Sequence, residues 1–251
     1  MRWLEADLDG ATAAFTTRLG GVSEAPYDSL NLGLLTDDRP DAVAANRLRL
    51  AAALGLAPEW IVFGRQVHGA ELALPADPEP PFRGSFGTDG VGFEPRNPRE
   101  VREVDGHVAA EPGTAPLVFV ADCLPVALHG PGGVAMLHCG WRGLAAGIVA
   151  RGAAAVGATT AAIGPGIGSC CYEVGDEVLG AFAGLGEGIA QGRMLDLPEV
   201  ARRLLGEAGV ERVESAGLCT SCEPELFFSH RRDAGRTGRQ AGLVWLEPGE
   251  A

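Results

Sequence analysis

The chain has 251 residues, 20 basic against 33 acidic side chains and a formal net charge of −13. A chain of this length buries a sizeable core without disulfides or metal. Its 46% apolar content excludes disorder as the main state, and its acidity argues against nucleic acid or an anionic membrane as the main partner. All 20 basic residues are arginine. That excludes Schiff-base and P-loop lysine chemistry and leaves any bound anion to arginine, backbone amides or metal. No run of about 18 apolar residues exists to span a membrane. The opening MRWLEADLDG carries acids where a signal peptide needs an apolar run, so a cytoplasmic chain is expected. Its six cysteines then read as reduced thiols, buried or liganding.

Residues 12–17 (TAAFTT) predict a short strand, and the RLGGVSEAPYDSLNLG that continues from it a loop. A helix is predicted next: Asp37 and Asp38 are cap candidates, Pro40 suits a first turn, and Gly55 a stop. Val43, Leu50 and Leu54 fall on one face, with Arg47 among them. A charge in an apolar stripe is expensive unless paired or used. Arg47 therefore snorkels, pairs with a carboxylate, or serves a ligand. Residues 61–66 and 71–74 read as strands around the turn QVHG. Residues 75–103, rich in Pro, Gly and charge, read as a surface insertion, either decorative or a lid. An apolar strand at 117–121 ends in Asp122-Cys123, and another at 134–137 ends in His138. A small-residue helix is expected over 143–156, then a strand at 161–163 opening into GPGIGSCCYEVG. Helices at 176–183 and 198–208 and strands at 210–216 and 241–246 close the chain. Strands and helices mix without regular alternation, so the expected class is α+β in one domain, 1–251.

His68, Cys123 and His138 each lie at a strand end or in an adjacent turn, where rigid elements present functional side chains. Two imidazoles and a thiolate are a catalytic-zinc donor set with a fourth position open. Their spacing is not a linear zinc motif, and a buried thiol with two hydrogen-bonded imidazoles accounts for the same residues. Cys219 and Cys222 form a CxxC without βαβ context and read as structural; the adjacent Cys170 and Cys171 read as buried. His129, in a Gly/Pro turn, reads as solvated, and His107 could face either way. Arg231, Arg232, Arg236 and Arg239 form a solvated basic face or an anion site.

The blocks TTRLGGVS, YDSLNLG, ANRLRL, QVHG, ADCLPV, HCGWRGLAAGI, IGPGIGSCCYEVG and FFSHRRDAGRTGRQA follow one another from about residue 12 to 246. In that order they resemble the YfiH-like family, whose members are called laccase-domain or polyphenol-oxidase proteins and purine nucleoside phosphorylases. The resemblance implies a single α/β/β/α domain and a zinc site at His68, Cys123 and His138. The chain departs from the family pattern at Cys139, where alanine is usual, at His230, where tyrosine is common, and in the length of 75–103.

The family implies phosphorolysis of adenosine, inosine and methylthioadenosine, with adenosine deamination as a second activity. Zinc-activated water suits deamination. Without lysine, phosphate falls to arginine, and Arg47 and Arg142 are the candidates. Asp122, beside Cys123, is a candidate general acid–base or orienting group. The expected partners are nucleosides and phosphate, acted on by a monomer. Three rivals stand beside this reading. One is a copper-dependent polyphenol oxidase, since the donor set also suits copper; five histidines are too few for a multicopper laccase. The second is a cysteine hydrolase acting on cell-wall precursors, with Cys123 as nucleophile. The third is a non-catalytic metal-stabilised binding module.

Overall fold

A computed structural model describes residues 1–77, 82–83 and 102–247. Fourteen strands form among them: β1 (Trp3–Asp7), β2 (Ala11–Thr16), β3 (Ile61–Phe63), β4 (Leu72–Ala73), β5 (Phe82–Arg83), β6 (Gly106–Ala109), β7 (Ala115–Val120), β8 (Leu124–Gly130), β9 (Gly133–Cys139), β10 (Thr160–Ile163), β11 (Ala190–Gln191), β12 (Met194–Leu195), β13 (Arg212–Ser215) and β14 (Gln240–Leu246). The helices are α1 (Pro40–Leu54), α2 (Trp141–Ala145), α3 (Ile148–Val156), α4 (Asp176–Ala181) and α5 (Leu197–Glu207). One six-stranded sheet runs β1-β2-β14-β7-β3-β5, the other β13-β10-β8-β9-β6-β4.

Alternation along the strands explains how the sheets stack. Val118 and Val120 of β7, Val134 and Met136 of β9 and Val244 of β14 fill the space between the sheets with Phe15. The intervening residues face outward. Leu117 and Leu243 meet Leu50 and Ala51 of α1. Ala135 and Leu137, with Val126 and Leu128, meet Ile148, Val149 and Val156 of α3 and Val200 and Leu205 of α5. Both faces of the central strands are thus covered, which is why their sequences read as near-continuous apolar runs. The layers are helix, sheet, sheet, helix: the expected α/β/β/α arrangement.

Several local expectations are corrected. The N-cap of α1 is Arg39, without a side-chain cap, while Asp38 accepts from Ser23 Oγ and Asn31 Nδ2. Gly55 does stop the helix, in the left-handed region at φ 67°. The helix expected over 143–156 is two, parted at Gly147 with φ 85°. β8 carries Pro125 and runs through His129, which is half-buried with Nδ1 donating to the Leu8 carbonyl at 2.7 Å rather than solvated in a turn. Of the segment 75–103, only Asp77 with its neighbours, Arg102 and Glu103, and the pairing of β5 on β3 are seen; the remainder lies outside the described residues. No helix among the described residues is long and apolar enough to cross a membrane.

A candidate metal centre and its cavity

The chain passes from the first sheet to the second at the turn between β3 and β4 and again between β7 and β8. These two crossings bring His68 and Cys123 to one end of the sandwich, where β9 delivers His138. The ligand atoms of the three lie within 4.8 Å of one another. His138 is buried, Cys123 half-buried and His68 exposed toward the opening. The His68 and His138 rings meet edge to face at 4.8 Å between centroids.

Asp105 organises two of the three. It is fully buried, and its carboxylate accepts the backbone N–H groups of Val67, His68 and Gly69 at 3.1, 2.9 and 2.7 Å. His68 sits at φ 62°, a region a β-branched or bulky residue rarely enters. Three amide donations to one carboxylate hold the turn in it. The same carboxylate accepts Nδ1–H of His138 at 2.8 Å. That fixes the His138 tautomer and leaves Nε2 for Cys123 or a metal. Sequence reasoning passes over Asp105; its only signal is an acid just ahead of the buried GHVA run.

Cys123 follows Asp122, itself at φ 87°. The Asp122 carboxylate accepts from Thr220 Oγ1 and from the Arg231 backbone N–H, each at 2.7 Å. Burial pushes the Cys123 thiol up, but the charge of His138 and hydrogen bonds from both histidines bring it down to about 6. Burial likewise pulls His138 down, and the Cys123 thiolate and Asp105 raise it to about 9. The stable pair at neutral pH is therefore thiolate and imidazolium, or two metal ligands once a cation replaces the shared proton. Cys139, buried among apolar side chains, has its thiol pushed far up and stays neutral.

The group opens on a cavity of about 680 Å³, a size that suits a small organic ligand. Arg47, Arg65, Arg142, Arg231 and Arg239 line it, with Phe119, Trp141 and Tyr172. Arg47 is 4% exposed; its Nε and Nη2 donate to the Leu32 carbonyl, and its guanidinium lies over Phe63 and Phe119 at 4.9 and 4.6 Å. Arg142 is exposed and stacks on Trp141 at 4.4 Å. The basic tail divides: Arg231 and Arg239 reach the cavity, whereas Arg232 pairs with Asp233 at 2.8 Å. His107 is buried in β6, where burial and Arg102 pull it down to about 3, so it is neutral.

The chain is similar to known proteins over nearly its whole length. The family model described as "multi-copper polyphenol oxidoreductase laccase" matches residues 12–247. A purine nucleoside phosphorylase of Pseudomonas aeruginosa is 38% identical over 263 residues, covering 98% of both chains. The purine nucleoside phosphorylase YfiH of Escherichia coli is 38% identical, covering 94% of each. Among solved structures, YlmD from Geobacillus stearothermophilus superposes with a TM-score of 0.83 at 34% identity, over 99% of this chain and 97% of that one.

Proposed function

The chain belongs to this laccase-like family, and from that premise we propose that it is a zinc-dependent purine nucleoside phosphorylase with adenosine deamination as a second activity. Adenosine, inosine or methylthioadenosine and phosphate give free base and the ribose 1-phosphate. One observation carries the reading: the His68–Cys123–His138 group opens directly on a cavity walled by arginines and aromatic rings.

The donor chemistry fits zinc. Two imidazoles, one already oriented by a carboxylate, and a thiol drawn toward its ionised form are what that ion takes in sites that keep a position open. Bound there, zinc supplies Lewis-acid chemistry that lowers the pKa of water, which deamination needs. The chain's own side chains do the rest. Phosphorolysis requires phosphate held beside the anomeric carbon, and arginine forks match its oxygens. We assign that task to Arg47 and Arg142; Arg239 lines the same cavity. Trp141, Phe119 and Tyr172 line the cavity and supply aromatic surface for a purine, each with an arginine stacked on it. Burial and the Cys123 charge push the Tyr172 phenol up to about 12, so it remains a neutral donor. Both Asp122 oxygens are engaged by Thr220 and Arg231, which suits an orienting role better than proton transfer. Within this reading the chain works as a single domain, in the cytoplasm, on small molecules.

A second reading has its own observation. Asp105, His138 and Cys123 form a hydrogen-bonded series of acid, imidazole and thiol, the pattern of a cysteine nucleophile. A cysteine hydrolase would be alkylated at Cys123, lose activity and need no metal. Copper-dependent phenol oxidation has less support: the chain holds five histidines, and two stand in this group.

The test combines metal analysis with turnover. Purified protein should hold zinc, not copper, and release adenine, hypoxanthine or methylthioadenine only when phosphate is present. His68→Ala and Cys123→Ala should each lose this zinc and the activity. Release of free base without phosphate, or full zinc in both variants, would sink the reading.

A further inference from the structure

The other four cysteines form a second cluster that the mechanism does not use. Cys170 and Cys171 lie on the loop after β10, Cys219 and Cys222 on the loop after β13. β10 and β13 are parallel neighbours, so their following loops leave the same edge of the sheet and run side by side. Gly166 and Cys219 make a parallel bridge, and the Thr220 N–H donates to the Gly166 carbonyl at 2.9 Å. The four sulfurs converge to within 4.8 Å of one another; Cys222 Sγ stands 3.3 Å from Cys170 Sγ and 3.4 Å from Cys171 Sγ. None is in a disulfide. Cys170 is exposed and Cys171 half-buried, contrary to the sequence expectation that both are buried.

We propose that Cys170, Cys171, Cys219 and Cys222 form a tetrathiolate zinc site, separate from the His68–Cys123–His138 group, that ties the two loops together. A single ion with Zn–S bonds of about 2.3 Å holds its four sulfurs about 3.8 Å apart in a tetrahedron. Two of the separations, 3.3 and 3.4 Å, lie just under that value, and all four sulfurs lie within 4.8 Å of one another. Four thiols turned toward one point without a disulfide have no apolar reason to gather, since two of them are exposed. The Gly168 N–H donates to Cys219 Sγ at 3.3 Å, which holds that sulfur in place. Each thiol gives up its proton as it coordinates.

The site has a consequence for the cavity. Tyr172, next to Cys171, lines its wall. Thr220, between Cys219 and Cys222, donates to Asp122, and its carbonyl accepts from Arg232 Nη1 at 2.9 Å. Arg231 donates to the Glu173 carbonyl at 2.9 Å and lies over Tyr172. A closed thiolate site therefore anchors the wall on which Tyr172 and Arg231 stand.

The experiment is zinc analysis with X-ray absorption at the zinc edge, on protein purified under reducing conditions. Wild type should hold two zinc ions per chain, averaging about 2.5 sulfur ligands each, against one if only the first site is filled. His68→Ala/His138→Ala should keep one zinc with four sulfur ligands. Cys219→Ser/Cys222→Ser should keep one zinc with one sulfur ligand and bind nucleoside several-fold more weakly. Wild type with a single zinc of low sulfur count overturns the proposal without needing either variant to fold. So does intact mass showing the four cysteines paired as disulfides. The zinc and sulfur counts are independent of the phosphorylase reading, and only the nucleoside-binding arm rests on it: loss of turnover with a retained four-sulfur zinc tells the two apart.

Discussion

Gly140 has no room for a side chain. A Cβ there would stand 2.9 Å from Cys123 Sγ and 3.3 Å from His68 Cδ2, and the residue's φ of −80° is open to any amino acid. The constraint is therefore space beside the ligands, not backbone conformation. Gly140→Ala is expected to unfold at nearly the wild-type temperature yet bind zinc roughly 10–100-fold more weakly, as disturbed ligand support does elsewhere; titration against a competing chelator measures it. Arg47 poses the opposite case, a buried cation whose stem and guanidinium also pack on Phe63 and Phe119. Arg47→Met keeps most of that volume. Its expected result is a KM for phosphate raised roughly 10–100-fold, the worth of charge-assisted hydrogen bonds, with KM for nucleoside changed far less. An unchanged phosphate KM would remove Arg47 from that role.

At the scale of elements, α5 shows how one turn of sequence sets a helix end. Asp196 caps it by accepting the Glu199 N–H at 2.9 Å, and Pro198 occupies the first turn. Asp196→Ala should cost about 1 kcal/mol, read as a melting temperature lower by roughly 2–4 °C. Glu199 pairs with Arg202 and Arg203, and hydrogen bonds from those arginines hold its carboxyl down at about 2. A depressed folded pKa contributes stability above the ordinary glutamate value of about 4.3 that is lost as pH falls through about 2. Glu199→Gln should therefore flatten the acid side of the urea midpoint between about pH 4 and pH 2, while a profile unchanged from wild type would show the pairs to be neutral. The strand β8 escapes sequence reasoning for a physical reason. A proline inside an apolar run usually demotes it, yet Pro125 sits opposite His138 with its carbonyl accepting from Gly164.

Over the whole molecule, the candidate metal ligands depend on how the two sheets stack. His68 and Cys123 lie on crossings between the sheets, so a change in sheet separation moves them. The sensitive point is Gly242 of β14, where a Cβ would meet Pro125 Cβ at 2.5 Å and Met136 Sδ at 3.1 Å. Gly242→Ala overfills this layer and should destabilise by about 1–3 kcal/mol. It should weaken zinc binding as well, although it touches no ligand. Denaturant unfolding and zinc affinity measured on the same protein check whether the two losses go together.

Composition, patterning and local signals were enough for the α+β class, the start and stop of α1, the apolar strands that became β7, β9 and β14, and the exclusion of lysine chemistry. Each depends on neighbours in sequence: a proline at a first turn, a glycine at a helix stop, an uninterrupted apolar run. The metal triplet is legible chiefly because its motifs resemble a family; on spacing alone, ordinary buried residues account for it better. What the chain's order could not convey are meetings between distant segments. Asp105 acts on His68 and His138 across 37 and 33 positions, and Cys170 meets Cys222 across 52. Arg231 and Arg239 separate from Arg232 only where the tail folds against the cavity. Hydrogen bonds and ligand sets of this kind are fixed by which strands lie side by side and where the chain crosses between sheets, and that is decided by packing of the whole core.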